Sequence, residues 1–211
     1  MKPWDGPPIF GWSILVPTIP HRHEKLLRLL DRLGEQMDGN VEVVLYRDNL
    51  EASYPAKCQT LLEAAAGEYV SFIDDDDLVA PDYIPKITEA LTAGPDYVGF
   101  IVDYSVDGVS QGHFFHSLSH PGWGVYTRDI SHLNPIRRSI ALQGKFEGPG
   151  HGADSNWAAQ VRATGLCVSQ MMIDEPLYYY LFETGDCYST PREPWQGPMP
   201  ELPRHDWLVA L

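Results

Sequence analysis

The stretch YVSFIDDDD, residues 69–77, decides which fold the chain can adopt. A run of apolar and β-branched residues of this length predicts a buried β-strand, and the four aspartates after it mark the end of that strand. Side chains alternate between the two faces of a strand, so Asp74 and Asp76 share one face if the extended backbone continues. The stretch therefore predicts a carboxylate cluster at the end of a buried strand.

Two interpretations of this cluster stay open. Four adjacent anions repel one another unless water solvates them or a cation lies among their oxygens. A solvated acidic turn, with Asp77 or Asp82 capping the next helix, is the ordinary interpretation. A divalent metal site is the functional one. The position of the acids favours it, because acids at the carboxyl end of a buried strand lie where open α/β sheets bind ligands.

The segments on either side of this strand alternate between strand and helix patterns. Short apolar runs predict strands, and leucines at helical spacing predict helices. A strand–helix–strand–helix–strand order implies an α/β fold with a mostly parallel sheet and right-handed crossovers. The predicted strands of this part are 12–16, 41–46, 69–73 and 97–104. The predicted helices are one that begins at residue 21 and ends at Gly34 or Gly39, one over 55–66 (with Gly67 as its C-cap) and one over 81–93, and a hairpin turn is predicted at Asp107-Gly108.

The regular alternation stops after residue 104. Residues 112–152 are rich in Gly, His, Ser and Pro, and we expect a flexible flap here that orders when ligand binds, because long irregular stretches are usually functional or mobile. Closely spaced prolines beyond Thr190 predict an extended tail without regular structure. The other elements predicted in this half are helices 135–142 and 154–164 and strands 166–173 and 176–182.

Length and charge limit the class of protein. With 211 residues, 44% of them hydrophobic, the chain can bury a substantial core. A net charge of −14 excludes a general electrostatic attraction to nucleic acid or anionic lipid. Cys58, Cys167 and Cys187 are widely spaced and form no metal-binding pair, which is typical of reduced intracellular thiols. No stretch approaches a membrane span in length, so we expect a cytoplasmic protein without a membrane anchor.

From Ser13 to about Ser189, the chain resembles the family-two glycosyltransferases of the GT-A fold. The resemblance lies in Val16-Pro17-Thr18 after the first strand, Asp48 after the second, and GEYVSFIDDDD at residues 67–77, which is similar to the family's glycine, apolar strand and Asp-x-Asp-Asp signature. It implies one GT-A-like domain, 1–211, with a nucleotide-sugar-binding half (12–104), an acceptor and catalytic half (105–189) and a tail (190–211).

The same resemblance implies roles for individual residues at the nucleotide. Lys57 falls where family members often place a polar or basic residue, whereas an isolated lysine on a helix is more typical of a solvated surface. One or two carboxylates plus phosphate oxygens form the ligand set that Mg²⁺ and Mn²⁺ accept. The nucleotide-binding residues implied are Pro17, Thr18, Asp48, Lys57, Asp74 and Asp75, and the metal ligands implied are Asp76, Asp74 and His151.

A second motif of the resemblance concerns catalysis. Asn134-Pro135 followed by GADSNW at residues 152–157 is similar to the Asn-Pro segment that precedes the family's Gly-Glu-Asp motif. The aspartate of that motif is the catalytic base, which maps to Asp154, although Ala153 stands where the family usually has glutamate. An inverting transfer needs one carboxylate near the acceptor hydroxyl to take its proton. The alternative for Asp154 is a cap or first-turn acid of the helix that it opens.

Several residues near these motifs also have two interpretations each. Trp157 could stack on a sugar, but its place on an apolar helix face is more typical of a core residue. Arg137 and Arg138 could contact a diphosphate or an anionic acceptor, or lie on a helix surface. A late histidine is an additional metal ligand in many proteins of the wider fold, and the candidates besides His151 are His113, His116, His120, His132 and His205.

These inferences together predict a metal-dependent, inverting glycosyltransferase. It would use Mn²⁺ or Mg²⁺ and a nucleotide-diphosphate sugar, most simply a UDP-sugar, and act on a hydroxyl acceptor of open class. No membrane partner and no broad nucleic-acid binding is expected. The alternatives are a non-catalytic nucleotide-sugar or cation-binding module and a sugar nucleotidyltransferase. The last needs a glycine-rich phosphate loop after the first strand, and Pro17-Thr18-Ile19-Pro20 contains no glycine.

Overall fold

The strand and helix order of the first half matches the prediction. The computed structural model describes residues 4–120, 122, 124–186, 190 and 192–211. Its first elements are β1 (Phe10–Thr18), α1 (His23–Gly34), β2 (Val41–Arg47), α2 (Tyr54–Ala64) and β3 (Gly67–Phe72). The strand β1 lies between β2 and β3 and is parallel to both. The α/β fold class and the parallel arrangement of these strands are therefore confirmed.

The elements after the acidic turn build an antiparallel extension. They are β4 (Leu78–Val79), α3 (Tyr83–Leu91), β5 (Tyr97–Val106), β6 (Val109–His116), β7 (Thr127–Arg128), β8 (Ile136–Arg137), α4 (Arg138–Ala141), α5 (Ala153–Ala163), β9 (Gln170–Phe182) and β10 (Leu208–Ala210). The two strands predicted for 166–182 form the single strand β9, whose register against β5 shifts twice. The hairpin turn is confirmed, because Asp107 and Gly108 have φ of 48° and 78°, the positive values that a tight hairpin needs.

The sheet is mixed, with the strand order β10-β2-β1-β3-β8-β5-β6-β7. The strands from β10 to β3 are parallel to their neighbours, whereas β8 runs antiparallel between β3 and β5. Outside this path, β9 pairs in parallel with β5 and antiparallel with β4. The first three predicted strands therefore end at the same edge of the sheet, as the placement of the acids requires.

Residues of β1 alternate between two apolar cores. Ile14 and Val16 are buried with the leucines of α1, whereas Leu15 points to the opposite face and is buried with α2 and α5. Full burial of such a side chain contributes roughly 1.5–3 kcal/mol. Helices on both faces leave only the strand ends open, so the fold places its cavity at that edge.

Gly67 lies where β3 comes closest to β1. It was predicted to be the C-cap of the second helix, but α2 ends at Ala64 with Ala65 as its C-cap, and Gly67 is the first residue of β3. A Cβ at Gly67 would lie 2.6 Å from the backbone nitrogen of Ser13. Only glycine allows this approach, and its N–H donates to the Ser13 hydroxyl oxygen at 2.8 Å.

The segment 112–152 contains short strands, a short helix and buried side chains, so its backbone is more regular than its composition indicates. That it orders further when a donor binds stays a prediction. The backbone N–H of Phe72 donates to the carbonyl oxygen of His132 at 2.8 Å, which ties the segment to the end of β3. The buried backbone N–H groups of β3 need acceptors, and β8 and the residues just before it supply them. Residues 121 and 123 lie outside the described part. The buried apolar side chains of the segment include Ile130, Ile136, Ile140 and Phe146.

Two further expectations are corrected by strand pairing. The helix predicted for 135–142 is reduced to α4, because residues 136 and 137 form β8 and pair with β3 and β5. The tail is not wholly irregular, because Leu208–Ala210 forms β10 in parallel with β2. An edge strand has unpaired backbone groups that another strand can bind. In both places, long-range pairing outweighs the local sequence pattern.

The described residues also contain two free thiols. Cys58 is buried and Cys167 half-buried, while Cys187 lies outside the described residues. None of the described helices combines the length and the apolar composition that crossing a membrane requires.

Candidate active site

A cavity of about 390 Å³ lies at the ends of β1 and β3, beside the start of α5. The carboxyl ends of parallel strands are the usual ligand-binding edge of an α/β sheet. The structure brings eight of the nine predicted site residues to this cavity, and Asp48 is the exception. The eight are Pro17, Thr18, Lys57, Asp74, Asp75, Asp76, His151 and Asp154.

The acidic turn is largely buried, with Asp75 and Asp77 buried and Asp74 and Asp76 half-buried, so its interpretation as a solvated turn is wrong. Asp77 accepts hydrogen bonds from the Tyr178 hydroxyl at 2.7 Å and from the backbone N–H of Leu181 at 2.8 Å. Asp77 thereby holds β9 against the turn and does not line the cavity. Asp82 occupies the N-cap position of α3, but its side chain makes no capping hydrogen bond. Neither predicted capping role is therefore observed.

Arg22 neutralises part of the acidic turn, and the sequence analysis did not assign it. Its guanidinium lies 2.9 Å from carboxylate oxygens of both Asp75 and Asp76, and it donates to the carbonyl oxygen of Asp186 at 3.0 Å. Asp75 also accepts from the Thr18 hydroxyl at 2.6 Å. The position of Arg22 in the sequence could have indicated this role. Arg22 lies between the first strand and the first helix, and that connection is at the same sheet edge as the acids that follow the third strand.

Burial changes the acidity of all four carboxyl groups in the turn. Desolvation raises the pKa values of Asp74, Asp75, Asp76 and Asp77, while Arg22 opposes the rise at Asp75 and Asp76. A group whose pKa is higher in the folded than in the unfolded state lowers stability as pH rises above the unfolded value. The ionised turn is therefore costly at neutral pH, and a bound cation would reduce this cost.

Lys57 and Asp48 form a buried ion pair beside the cavity. Lys57 is 4% exposed, so the interpretation as a solvated helix side chain is wrong. Its ammonium group contacts Asp48 and donates to the carbonyl oxygen of Thr18 at 3.0 Å. Asp48 also accepts from the backbone N–H groups of Leu50 at 3.3 Å and Ala52 at 2.5 Å. Since Leu50 and Ala52 line the cavity, Asp48 shapes its wall without lining it.

Lys57→Met should lower the free energy of unfolding by roughly 3 kcal/mol, because removing one partner of a buried ion pair leaves the other charge uncompensated. Urea denaturation would measure the loss. Lys86→Met is the matched control, since Lys86 pairs with Asp82 and Glu175 at the surface and its loss should change stability much less. Equal effects of the two substitutions would contradict the prediction.

Asp154 lies in the first turn of α5 with its side chain 28% exposed, on the wall of the cavity. The N-cap residue of α5 is Gly152, which has φ of 85°, and no side chain caps the helix. A carboxylate in a first helical turn is stabilised by the helix dipole. The His132 Nδ1 atom lies 3.8 Å from the Asp154 carboxylate, and His132 also lines the cavity. His132 was only one of several loop histidines in the sequence.

Solved structures show which fold this arrangement belongs to. The structure of S. aureus TarS 1–349 in complex with UDP-GlcNAc is similar, with a TM-score of 0.65 and 16% identity over 87% of this chain and 62% of that one. Glucosyl-3-phosphoglycerate synthase from Mycobacterium tuberculosis, in complex with Mn²⁺, UDP-glucose and phosphoglyceric acid, has a TM-score of 0.56 and 15% identity over 82% of this chain and 72% of that one. These structures share the GT-A fold.

The family model of glycosyl transferase family 2 matches residues 56–160, which include the acidic turn and Asp154. The chain has the GT-A fold, and its residues 56–160 are similar to glycosyl transferase family 2. It spans about 60% of the length of the TarS 1–349 structure. A search of the curated proteins finds no significant sequence match.

The residues of this GT-A cavity fit a divalent cation bound together with phosphate. Within the described residues, no three His, Cys, Asp or Glu side chains form a ready metal cluster. The carboxylates of Asp74 and Asp76 are nevertheless hard oxygen donors in an incompletely neutralised, desolvated turn. Mg²⁺ and Mn²⁺ accept one or two such carboxylates when phosphate oxygens and water complete the coordination. The metal roles of Asp74, Asp76 and His151 stay predictions.

Other candidate residues lie away from the GT-A cavity. Trp157 is 1% exposed and donates to the carbonyl oxygen of Ala141 at 3.0 Å, so it is a core residue. Arg137 pairs with Glu68, and Arg138 donates to backbone carbonyl oxygens, so neither meets the expectation of a diphosphate contact. Of the histidines considered as metal ligands, those absent from the cavity wall are His113, His116, His120 and His205.

Proposed function

We propose that this GT-A protein transfers a glycosyl group from a nucleoside diphosphate sugar to a hydroxyl group, with inversion at the anomeric carbon. The observation that carries the proposal is one cavity lined both by the acidic turn and by Asp154. Complexes of the structurally similar TarS and M. tuberculosis synthase with UDP-sugars support a uridine nucleotide as donor.

The donor end of the cavity is held rigidly by buried polar contacts. Thr18 is fixed from two sides, because its hydroxyl donates to Asp75 and its carbonyl oxygen accepts from Lys57. Arg22 restrains Asp76 through the ion pair described above. Groups held in place before the substrate binds lower the entropic cost of orienting it. We assign the nucleoside to the wall formed by Pro17, Thr18 and the loop that Asp48 shapes.

The base chemistry is assigned to Asp154. The acceptor oxygen forms a bond to the anomeric carbon as the bond from that carbon to the diphosphate breaks, and Asp154 takes the proton that the acceptor hydroxyl loses. A partly exposed carboxylate on the cavity wall is available for this transfer. The substitution of Ala153 for the usual glutamate leaves this carboxylate in place, since Ala153 itself is buried.

A bound Mn²⁺ or Mg²⁺ ion would be held by Asp76, with Asp74 and His151 as further candidate ligands. Such an ion acts as a Lewis acid that neutralises charge on a departing diphosphate. Arg22, which already contacts Asp76, keeps the carboxylate in position and limits repulsion within the turn. The complex of the M. tuberculosis synthase with Mn²⁺ and UDP-glucose supports this proposal.

The alternatives differ from this proposal in what they predict. A sugar nucleotidyltransferase would need a glycine-rich phosphate loop after the first strand, and residues 17–20 contain no glycine. A non-catalytic binding module would bind the nucleotide sugar as tightly but would not turn it over. Only a turnover measurement separates that module from the enzyme.

A screen of nucleoside diphosphate sugars, each with Mn²⁺ or with EDTA, tests the proposal directly. A ligand at 100 times its Kd should stabilise the native state by about 2.7 kcal/mol, which thermal unfolding detects. We expect a UDP-sugar with Mn²⁺ to give the largest shift and to be hydrolysed slowly with water as acceptor. Stabilisation without any release of nucleoside diphosphate would favour the binding module, and no stabilisation by any sugar nucleotide would overturn the proposal.

A further inference from the structure

His132 is a buried histidine whose ring makes no hydrogen bond with the described residues. Its side chain is 8% exposed, and neither ring nitrogen has a hydrogen-bond partner among the described residues. The ring packs against Phe72 and Phe146, with centroid distances of 5.7 and 6.5 Å. The backbone of His132 is held by the N–H of Phe72. Apolar packing therefore holds the ring and a hydrogen bond holds the backbone, while the two ring nitrogens contribute no hydrogen bond to the fold.

Such a residue is unfavourable for the fold. Burying a polar group without a hydrogen bond costs free energy, and a phenylalanine or leucine would fill the same apolar surroundings without that cost. The other buried histidine of this region, His116, shows the usual solution, because its Nδ1 atom lies 2.6 Å from the side-chain oxygen of Asn134. A structural role thus explains His116 but not His132.

The charged groups facing His132 lie on the cavity. Its Nδ1 atom is 3.8 Å from the Asp154 carboxylate. Asp74 is also close: burial raises the pKa of Asp74, and a positive charge on His132 would oppose that rise. The Tyr54 hydroxyl, which donates to Asp74 at 3.2 Å, lies on the same wall. Hydrogen bonds between catalytic groups are often long without substrate and shorten in the reactive complex.

We propose that His132 is a positioning residue for Asp154. In the loaded site, an imidazole N–H of His132 donates to one carboxylate oxygen of Asp154, which leaves the other oxygen directed at the acceptor hydroxyl. The acceptor proton ends on Asp154, so His132 neither gains nor loses a proton in the step. This inference rests on the proposed role of Asp154 as the base.

His132→Phe separates positioning from packing. We expect unchanged or higher stability, an unchanged KM for the donor, and a kcat lowered roughly 10- to 100-fold, because misorientation of a reacting group by about 1 Å costs on the order of 100-fold. His132→Asn restores an N–H donor close to the position of Nδ1 and should recover part of the loss. If the phenylalanine variant does not fold, the asparagine variant and His132→Leu provide the same comparison.

His116→Phe is the matched control. It removes a satisfied hydrogen bond outside the cavity, so it should lower stability and leave kcat near that of the parent. The two histidines should therefore show opposite patterns, with His132→Phe affecting turnover and His116→Phe affecting stability.

The double variant tests whether His132 acts through Asp154. Residues that act as a unit are not additive, so His132→Phe should slow Asp154→Asn no further. A multiplicative loss would overturn the proposal, as would a His132→Phe variant with the kcat of the parent while Asp154→Asn is impaired. If Asp154→Asn instead keeps full activity, the proposed base itself is wrong. Failure of the inference and failure of the underlying function are therefore distinguishable.

Discussion

Asp154→Asn should retain the fold and the nucleotide affinity while lowering turnover by roughly two to four orders of magnitude, the usual contribution of positioned proton transfer. Asparagine has nearly the same shape as aspartate but cannot take the acceptor proton. The change should cost little stability, because no side chain caps α5 and Asp154 only occupies its first turn. Steady-state kinetics gives the turnover, and titration calorimetry gives the affinity for the nucleotide.

Ser155→Ala serves as the control for this prediction. Ser155 lies in the same helical turn but is not part of the cavity wall, so its substitution should leave both quantities near those of the parent. Donor hydrolysis can replace transfer as the assay until an acceptor is known. An Asp154→Asn variant with full transfer activity would remove the base assignment and direct attention to His151 and His132.

Asp76→Asn should abolish most of the gain in nucleotide affinity that Mn²⁺ provides. Loss of an outer-shell partner of a metal already costs about 10- to 100-fold in affinity or activity, so loss of a carboxylate ligand should cost at least about 100-fold. The buried, mutually repelling carboxylates of the acidic turn motivate this expectation, because ionising them without a cation is costly. Calorimetric titration of the nucleotide with Mn²⁺ and with EDTA measures the difference.

Asp186→Asn controls for the general loss of negative charge. Asp186 lines the same cavity and lies 3.8 Å from Arg22, but it is not assigned to the metal. Its substitution should change the affinity with Mn²⁺ and with EDTA alike, without removing the gain from the metal. The metal role of Asp76 is wrong if its asparagine variant keeps the Mn²⁺-dependent gain of the parent.

Local pattern predicted the elements whose signal lies within a short stretch of sequence. The apolar spacing of β1, α1, β2, α2 and β3 is visible without any partner, because each buries a face set by its own periodicity. The position of the acids at the sheet edge was also predictable, because they follow the last residues of β3 directly in the chain. The family resemblance then added Asp154, which periodicity does not mark.

Pairing between distant segments was not predictable from those patterns. The strand β8 has two residues, and β10 lies in a proline-rich tail, so neither has a recognisable local signal. Each forms because a neighbouring strand has backbone groups to pair, β3 and β5 for the first and β2 for the second. The free energy of such a strand comes from the partner, which the local sequence does not contain.

The sequence by itself determined the α/β class, the order of the first strands and helices, and a cluster of acids at their shared edge. Only the tertiary structure decided which charges compensate those acids. Arg22 lies 53 residues before Asp75 and pairs with it. Lys57 is buried beside Asp48, and His132 comes to Asp154 from a separate segment. Burial and charge pairing depend on distances in space, and these are set by how the elements pack rather than by any one stretch of the chain.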